Sequence, residues 1–471
     1  MLREGRNNVT KKGLALSNNR KHLRSVLLSS AAAFLATTSV AQNTSEFTGE
    51  VSLTARTFTS DGALPGQPTS GTSFIGEAEL GWRGSVGPGQ LVFEVYGRGD
   101  DRTDTGLIDV PKAYYFQDNG SWNVLVGQDV AFWGVAESTN IVNVINQDDV
   151  NYRFDEERKL GQPMVNLGFN LGGGTLNAYA LLGFREPNYG GSETRPRFSV
   201  FPVADEAMFE EDGGEDYDFA LRYASTVSMG AGSLDYAVSY FYGTSRAAVL
   251  LPGCSGASAT VSRATCNAVN SDIAGAFEGL SSGGSDLGSA VTAASSPTTQ
   301  AFLAGGDGVG TIPYYQEMNQ LGLELAYATG DWVLKFEGFG RNASDETFYA
   351  GIFGAEYRIA NAFGGQGDLT LAGEYITDGR SSRQPLTIFD DDVFLSARYD
   401  FNNAWGTSLS FNGLYDLDTE GQYYNIELTT RLADSISLNM IASQIMSDDP
   451  ADPLTAFDKD DNYEITLSYF F

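Results

Sequence analysis

Apolar and polar residues alternate with a period of two along most of this chain. In Tyr463–Phe471, YEITLSYFF, one side of an extended strand carries Tyr463, Ile465, Leu467, Tyr469 and Phe471, and the other carries Glu464, Thr466, Ser468 and Phe470. The division recurs elsewhere. Leu321, Leu323, Leu325 and Tyr327 oppose Glu324 and Ala326, and Leu234, Tyr236, Val238 and Tyr240 oppose Asp235, Ala237 and Ser239. Likewise, Tyr217, Phe219, Leu221 and Tyr223 oppose Asp218 and Arg222. From Phe47–Thr57 onward about eighteen such segments follow, with sixteen as the alternative count, each near the ~9–11 residues a tilted strand needs to cross a bilayer.

The connections alternate as well. Those at 58–72, 99–108, 128–162, 186–214, 246–313, 377–391 and 446–460 are long, with 342–346 and 416–421 as short exceptions. Those between them are tight, among them VGPGQ 86–90, QDNG 117–120, LGGG 171–174, SMGAG 228–232, ATGD 328–331 and LADS 432–435. Gly, Asn and Asp supply the positive φ angles such turns need. A soluble sandwich has no reason to segregate its loops by length. The pattern therefore predicts an all-β chain folded as a transmembrane antiparallel β-barrel, with short periplasmic turns and long extracellular loops. Aromatics at strand–turn junctions, Tyr327 and Trp332 around ATGD, Trp122 after QDNG and Tyr399 before DFNN, read as an interfacial girdle. The plainer reading is the ordinary preference of such rings for sheets.

The ends of the chain point the same way. Lys11, Lys12, Arg20, Lys21 and Arg24 precede the apolar stretch Val26–Ala36, and Ser39-Val40-Ala41 offers a cleavage site. Residues 1–41 are therefore expected to be a signal peptide, with 42–471 forming a single barrel. Without seven Lys/Arg and one Glu, the remainder holds 22 basic and 59 acidic residues, a net charge of −37. His22, the one histidine, leaves with the signal, which excludes Ser-His and Cys-His nucleophile systems and the commonest metal ligand. No enzyme and no cofactor are expected. Such acidity also argues against nucleic acid. Only about five residues separate Gln42 from Phe47, so no N-terminal plug domain is expected. Cys254 and Cys266 read as a disulfide closing a short loop of an exported protein, a zinc site wanting more ligands.

A barrel of eighteen strands is too wide for wall side chains to fill. The connection best placed to narrow it is 128–162, which carries apolar Phe132, Trp133, Ile141, Val142, Val144 and Ile145 and a possible short helix over 137–149. It also carries acids: Glu137, Asp148, Asp149, Asp155, Glu156 and Glu157. Bases fall on the polar faces of strands, namely Arg83, Arg98, Arg222, Lys335, Arg341, Arg398 and Arg431. Loop acids facing wall bases would set conductance and charge preference at a constriction. Equally, the pairs could simply anchor the loop and satisfy buried charge. Residues 246–313, rich in Gly, Ser and Ala, are a flexible cap or a partial plug with short helices. The acidic runs at 209–216, 389–393 and 458–464 could hold Ca²⁺, but none has EF-hand spacing, and a solvated acidic loop is the simpler reading.

WGVAES 133–138, NVINQDD 143–149 and KLGQPMV 159–165, with FYGTSR 241–246, PYYQEMNQLGLEL 313–325 and DDDVFLSARYDF 390–401, resemble a set found in uncharacterised porin-like outer-membrane proteins of Gram-negative bacteria. The terminal Phe471 after alternating apolar residues resembles the signal read by the barrel assembly machinery. The resemblance implies a barrel of this kind and carries no substrate. The expected function is a porin-like channel for passive diffusion of small hydrophilic solutes, with a weak cation preference from the acidic excess. The alternatives are a substrate-specific channel for organic anions or a polysaccharide, and a structural or adhesive barrel with a closed lumen. Expected partners are outer-membrane lipid and lipopolysaccharide; a homotrimer would meet through lipid-facing positions.

Overall fold

The computed structural model describes residues 45–471 apart from 104, 152–157, 188, 202, 205–206, 211–216, 259 and 281–285. The expected signal peptide lies outside the described residues, as do Asp155, Glu156 and Glu157.

The period-two segments fold as strands. Chain order gives β1 (Ser45–Phe58), β2 (Gly71–Val86), β3 (Gly89–Asp100), β4 (Leu107–Asp118), β5 (Trp122–Asp129), β6 (Gln162–Leu171), β7 (Gly174–Leu182) and a short β8 (Met208–Phe209). Next come β9 (Tyr217–Met229), β10 (Gly232–Thr244), β11 (Val249–Cys254), β12 (Val309–Tyr315), β13 (Glu317–Thr329), β14 (Trp332–Ala343) and β15 (Glu346–Ile359). The remainder are β16 (Asp368–Asp378), β17 (Asp391–Asp400), β18 (Ser408–Asp416), β19 (Gln422–Ala433), β20 (Ile436–Met446) and β21 (Asn462–Phe470).

All but β8, β11 and β12 form one 18-stranded sheet, each strand antiparallel to its neighbours. The sheet closes where β1 pairs with β21, from Glu50 opposite Phe470 to Phe58 opposite Asn462. Closure removes both sheet edges, the condition for crossing hydrocarbon. Phe471 completes the seam: its N–H donates to Gly49 O at 3.0 Å, and its carbonyl accepts from Gly49 N at 2.9 Å. Its ring lies over Gly49, where a Cβ would come within 2.3 Å of it, and stacks on Phe47 and Tyr469.

The strand faces separate as the periodicity predicts. Tyr463, Ile465, Leu467 and Tyr469 are exposed on the outside, while Glu464 and Ser468 are buried on the inside. Exposed apolar side chains recur on every barrel strand from Phe47 to Phe470, the surface of a barrel of the outer-membrane type. Four tryptophans, Trp82, Trp122, Trp332 and Trp405, are exposed in or near the short turns. Trp332 packs on Tyr357 at 4.5 Å, and Tyr399 on Phe401 at 4.8 Å, forming part of an aromatic belt. Turns such as 230–231 and 330–331 rest on Gly230 and Gly330 at φ of about 60°, a region costly for other residues.

The excursion between β10 and β13 folds on itself. β11 and β12 form an antiparallel hairpin, β12 adds β8 in parallel, and three helices pack on the sheet: α1 (Arg263–Glu278), α2 (Leu287–Ala294) and α3 (Pro297–Gly305). Ser262, Asp286 and Ser296 cap their N-termini. Val269, Ile273 and Phe277 of α1 meet Leu251 and Tyr314 in a small core of their own, and Cys254 is disulfide-bonded to Cys266 with Cα atoms 5.1 Å apart. Helix α1 is longer than the short pieces the sequence suggested. Its Ala, Asn and Gly residues hide the helical period.

Candidate functional site: a loop across the barrel lumen

Residues 130–151 and 158–161, between β5 and β6, turn inward. Trp133, Val142, Val144 and Ile145 are buried against inward-facing Leu181, Phe241, Met318, Phe339 and Phe348 of the wall. Trp133 meets the Tyr179 ring edge-on at 5.8 Å. Gly134 has φ 133°, and a Cβ there would collide with the Asn140 side chain, so the turn into the lumen requires glycine. Phe132 does not join this core and stays 69% exposed. No helix forms over 137–149. The Val142 N–H, which a helix would bind internally, goes to the wall instead, as do those of Glu137 and Ser138.

Three buried wall carboxylates receive them. Glu324 accepts from Gly134 N at 3.0 Å. Glu337 accepts from Val135 N at 2.8 Å, Ala136 N at 3.2 Å and Val142 N at 3.0 Å. Glu374 accepts from Glu137 N at 2.8 Å, Ser138 N at 2.9 Å and Ser138 Oγ at 2.5 Å. Hydrogen bonds to an ionised acceptor are stronger than neutral ones and offset its desolvation. Wall donors also grip the loop: Gln320 Nε2 donates to Val142 O at 3.2 Å and Arg246 Nε to Ile145 O at 3.0 Å. Inside the loop, Asn146 accepts from Ala131 N and donates to the carbonyls of Asp129 and Leu160.

The loop bridges the barrel. At one end Asp149 takes both Nη atoms of Arg98 on β3, at 2.7 and 3.3 Å, and Arg158 donates to Glu79 on β2 at 3.0 Å with its guanidinium over the Tyr96 ring. At the other, Glu137 meets Lys335 on β14, which also reaches Glu356 at 3.3 Å. Asp148 pairs within the loop, with Lys159 at 2.5 Å.

Among the described residues, the remaining bases meet no loop acid. Arg222 forms a two-pronged pair with Glu324 beside it in the wall, at 2.9 and 2.7 Å. Arg341, buried against the Phe339 ring, donates to Gln320 Oε1 at 2.9 and 2.6 Å. Arg83, Arg398 and Arg431 are exposed toward the short-turn end, with Arg398 held by Asp400 at 3.0 Å.

The loop's hydrogen bonds and ion pairs reach β2, β3, β13, β14 and β16, and the strands from β17 round to β1 supply none of those given above. A recess along β19–β21 and β1–β3 is lined by Glu50, Arg56, Glu77, Arg98, Glu427 and Glu464 with Asn439 and several Ser and Thr hydroxyls. Arg56 is tied to Glu464 at 2.6 Å. Glu77 accepts from the Tyr96 hydroxyl, and Glu427 from Asn439. The sequence reading placed Glu324 and Glu464 on polar faces but offered none of these wall acids as site residues, weighing only the bases there. Their signal was available in strand parity, since Glu427 sits between outward Ile426 and Leu428, and Glu337 shares its face with Lys335 and Arg341.

No sequence-family model matches the chain, and no curated protein matches it. Among solved structures it is similar to a BenF-like porin from Pseudomonas fluorescens Pf-5, at 9% identity over 91% of this chain and 98% of that one, with a TM-score of 0.46. It is similar to Pseudomonas aeruginosa OccK5 (OpdH) at 9% identity over 91% and 98%, TM-score 0.44, and to Pseudomonas putida OprB at 10% identity over 91% and 94%, TM-score 0.43. Likeness at this level says nothing of solute or mechanism, and the closed barrel stands on its own strand ladder.

Proposed function

We propose that the barrel is an outer-membrane channel through which small hydrophilic solutes diffuse passively, with a preference for cations. The passage runs between the inward loop and the wall of β17–β21 and β1, where polar and hydroxyl side chains replace solute hydration. One observation carries the charge preference. Of the bases lining the recess, Arg56 and Arg98 are each held by a carboxylate, while Glu50, Glu77 and Glu427 have no ion pair among the described residues. Unneutralised carboxylates at a low-dielectric wall concentrate cations.

In this reading Asp149 with Arg98 and Glu137 with Lys335 brace the constriction, residues 1–41 are the export signal, and the Cys254–Cys266 disulfide staples the cap. Lipopolysaccharide and the barrel assembly machinery are the surroundings such a barrel meets.

Planar-bilayer recording of the purified chain under a salt gradient tests it. Stepwise conductance with a reversal potential on the cation side is expected. An anion-side reversal potential would overturn the preference. Absence of conductance from a heat-modifiable barrel would overturn the channel itself in favour of a closed structural barrel.

A further inference from the structure

At the long-loop end, three connections bring carboxylates together, and among the described residues no base pairs with them. Asp392 on β17 stands directly opposite Asp416 on β18 in the strand register, and Asp390 precedes them in the same turn. One oxygen from each of Asp390, Asp392 and Asp416 lies within 4.8 Å of the others. Like charges facing across a strand pair destabilise it unless something neutralises them.

Asp392 is the decisive residue. It is 0% exposed; its Oδ2 accepts from Asp390 N at 2.8 Å, and its Oδ1 is buried without a hydrogen-bond partner. A buried carboxylate oxygen left unpaired is expensive, and the usual remedies are a donor, a base or a metal. Asp416, also buried, is held in a fixed orientation by Asp418 N at 2.8 Å, Thr419 N at 2.9 Å and Thr419 Oγ1 at 2.6 Å.

A third connection contributes Asp452. Its Oδ1 accepts from Leu454 N at 2.8 Å, and its buried Oδ2, unpartnered, presses on Gly421, where a Cβ would sit 2.0 Å away. Asp416, Asp418 and Asp452 all lie near enough to Asp390 to push its carboxyl upward, after burial itself. Beneath this cluster lies an apolar bed of Ile376, Leu414, Leu454 and Phe457, with Ile388 and Phe389 packed on it.

We propose that Asp390, Asp392 and Asp416, with Asp452 beside them, form a site for a hard divalent cation of the Ca²⁺ class, which ties together the connections 379–390, 417–421 and 447–461. The donors are all oxygen, the choice of Ca²⁺ and not of softer metals. Ca²⁺ takes ligands at about 2.3–2.6 Å, so oxygens on either side of it stand up to about 5 Å apart, a span these carboxylates fit. The burial of Asp392 separates this site from loose bridging of lipid phosphates at an acidic surface. The cation would secure the rim above β17–β21, one wall of the proposed passage.

The test uses the full folded chain stripped with EDTA and titrated with CaCl₂ by calorimetry, with limited proteolysis of the same samples mapped by mass spectrometry. One saturable site is expected, with Ca²⁺ suppressing cleavage in 379–390, 417–421 and 447–461. Asp392→Asn is expected to weaken binding at least about ten-fold. Its Ca²⁺-free loops are expected to resist protease better than the Ca²⁺-free parent, because the repulsion has gone. If that variant does not fold, the more exposed Asp390→Asn is expected to weaken binding in the same direction. Absence of saturable binding by the parent overturns the site. So does binding that neither substitution alters, which would place the ion among other acidic loops.

Discussion

Glu337, deep in the wall on β14, accepts the Val142 backbone N–H through Oε1 at 3.0 Å while its Oε2 holds the N–H groups of Val135 and Ala136. One wall side chain thus fixes two separate turns of the inward loop. In Glu337→Gln only one terminal oxygen remains, so one of these sets must face an amide NH₂. Each lost bond to a charged acceptor is worth about 1.5–3 kcal/mol. The variant is expected to form a heat-modifiable barrel whose single-channel conductance is larger and noisier than the parent's. Unchanged conductance would mean that the apolar contacts of Trp133, Val142 and Ile145, with the bonds from Glu324 and Glu374, hold the loop without Glu337.

The charges at the loop separate into two roles. Arg98 and Asp149 are almost wholly buried, so their mutual attraction braces the loop and adds little field to the passage. Asp149→Asn leaves Arg98 buried with a neutral partner, a change costing about 3–5 kcal/mol when a buried charge loses its counterion. Lower resistance to heat, with the selectivity of the surviving channels unaltered, is the expected result. Glu50→Gln, Glu77→Gln and Glu427→Gln combined are expected to do the reverse: stability stays close to the parent's, and the reversal potential under a salt gradient moves toward zero. A selectivity change in Asp149→Asn and none in the triple variant would exchange the two roles.

The sequence made the barrel legible because a lipid-facing surface and a wet lumen impose opposite requirements on alternate residues. Leu321, Leu323 and Leu325 against Glu324 is such a record, and the turn glycines mark where each record reverses. The inward loop was legible by its composition, since Trp133, Val142 and Ile145 make no sense in a solvated connection. How it is held was not. Glu324, Glu337 and Glu374 accept backbone N–H groups, which leave no trace in side-chain chemistry, whereas a search for opposite charges finds Arg222 and Arg341, whose partners prove to be wall residues. The fold of α1–α3 on β11 and β12 was hidden for a related reason. Small side chains bury little area each, and the period they follow is faint.

Arg195 and Asp460 bind the long connections to one another. Arg195 is 0% exposed; its Nε lies 2.6 Å from Asp460 Oδ1, its other nitrogens donate to carbonyls of Ser60, Pro68 and Lys459, and its guanidinium covers the Phe58 ring. Burial pushes the Asp460 carboxyl up from 3.8 to about 6, with Arg195 pulling the other way. For an acid, a raised folded-state value means that the opened segment binds fewer protons than the closed one between these two values. This group therefore weakens closure as pH rises from 3.8 through about 6, and its opposition is complete above that. Hydrogen exchange over 447–461, corrected for intrinsic rates, is expected to show greater protection at pH 5 than at pH 7. Equal or reversed protection would mean that the ion pair keeps Asp460 charged throughout.

The excursion over β11, α1–α3 and β12 has its own core and its own disulfide, and its ends meet: Ser255 N donates to Gly308 O at 3.0 Å where the hairpin strands separate. Replacing 256–307 with a two-residue turn, with Cys254→Ser to avoid a lone thiol, therefore asks nothing of the barrel ladder. Closing a short loop in place of a long one also lowers the entropy cost of the connection. The shortened chain is expected to fold to the same heat-modifiable barrel, with its cation preference kept because Glu50, Glu77 and Glu427 are untouched. Conductance is the informative quantity. An increase would show that the cap narrows access to the lumen, and an unchanged value would assign the narrowing to the loop at 130–161 alone. Loss of the folded barrel would show that the excursion, despite its separate core, is part of what holds β10 beside β13.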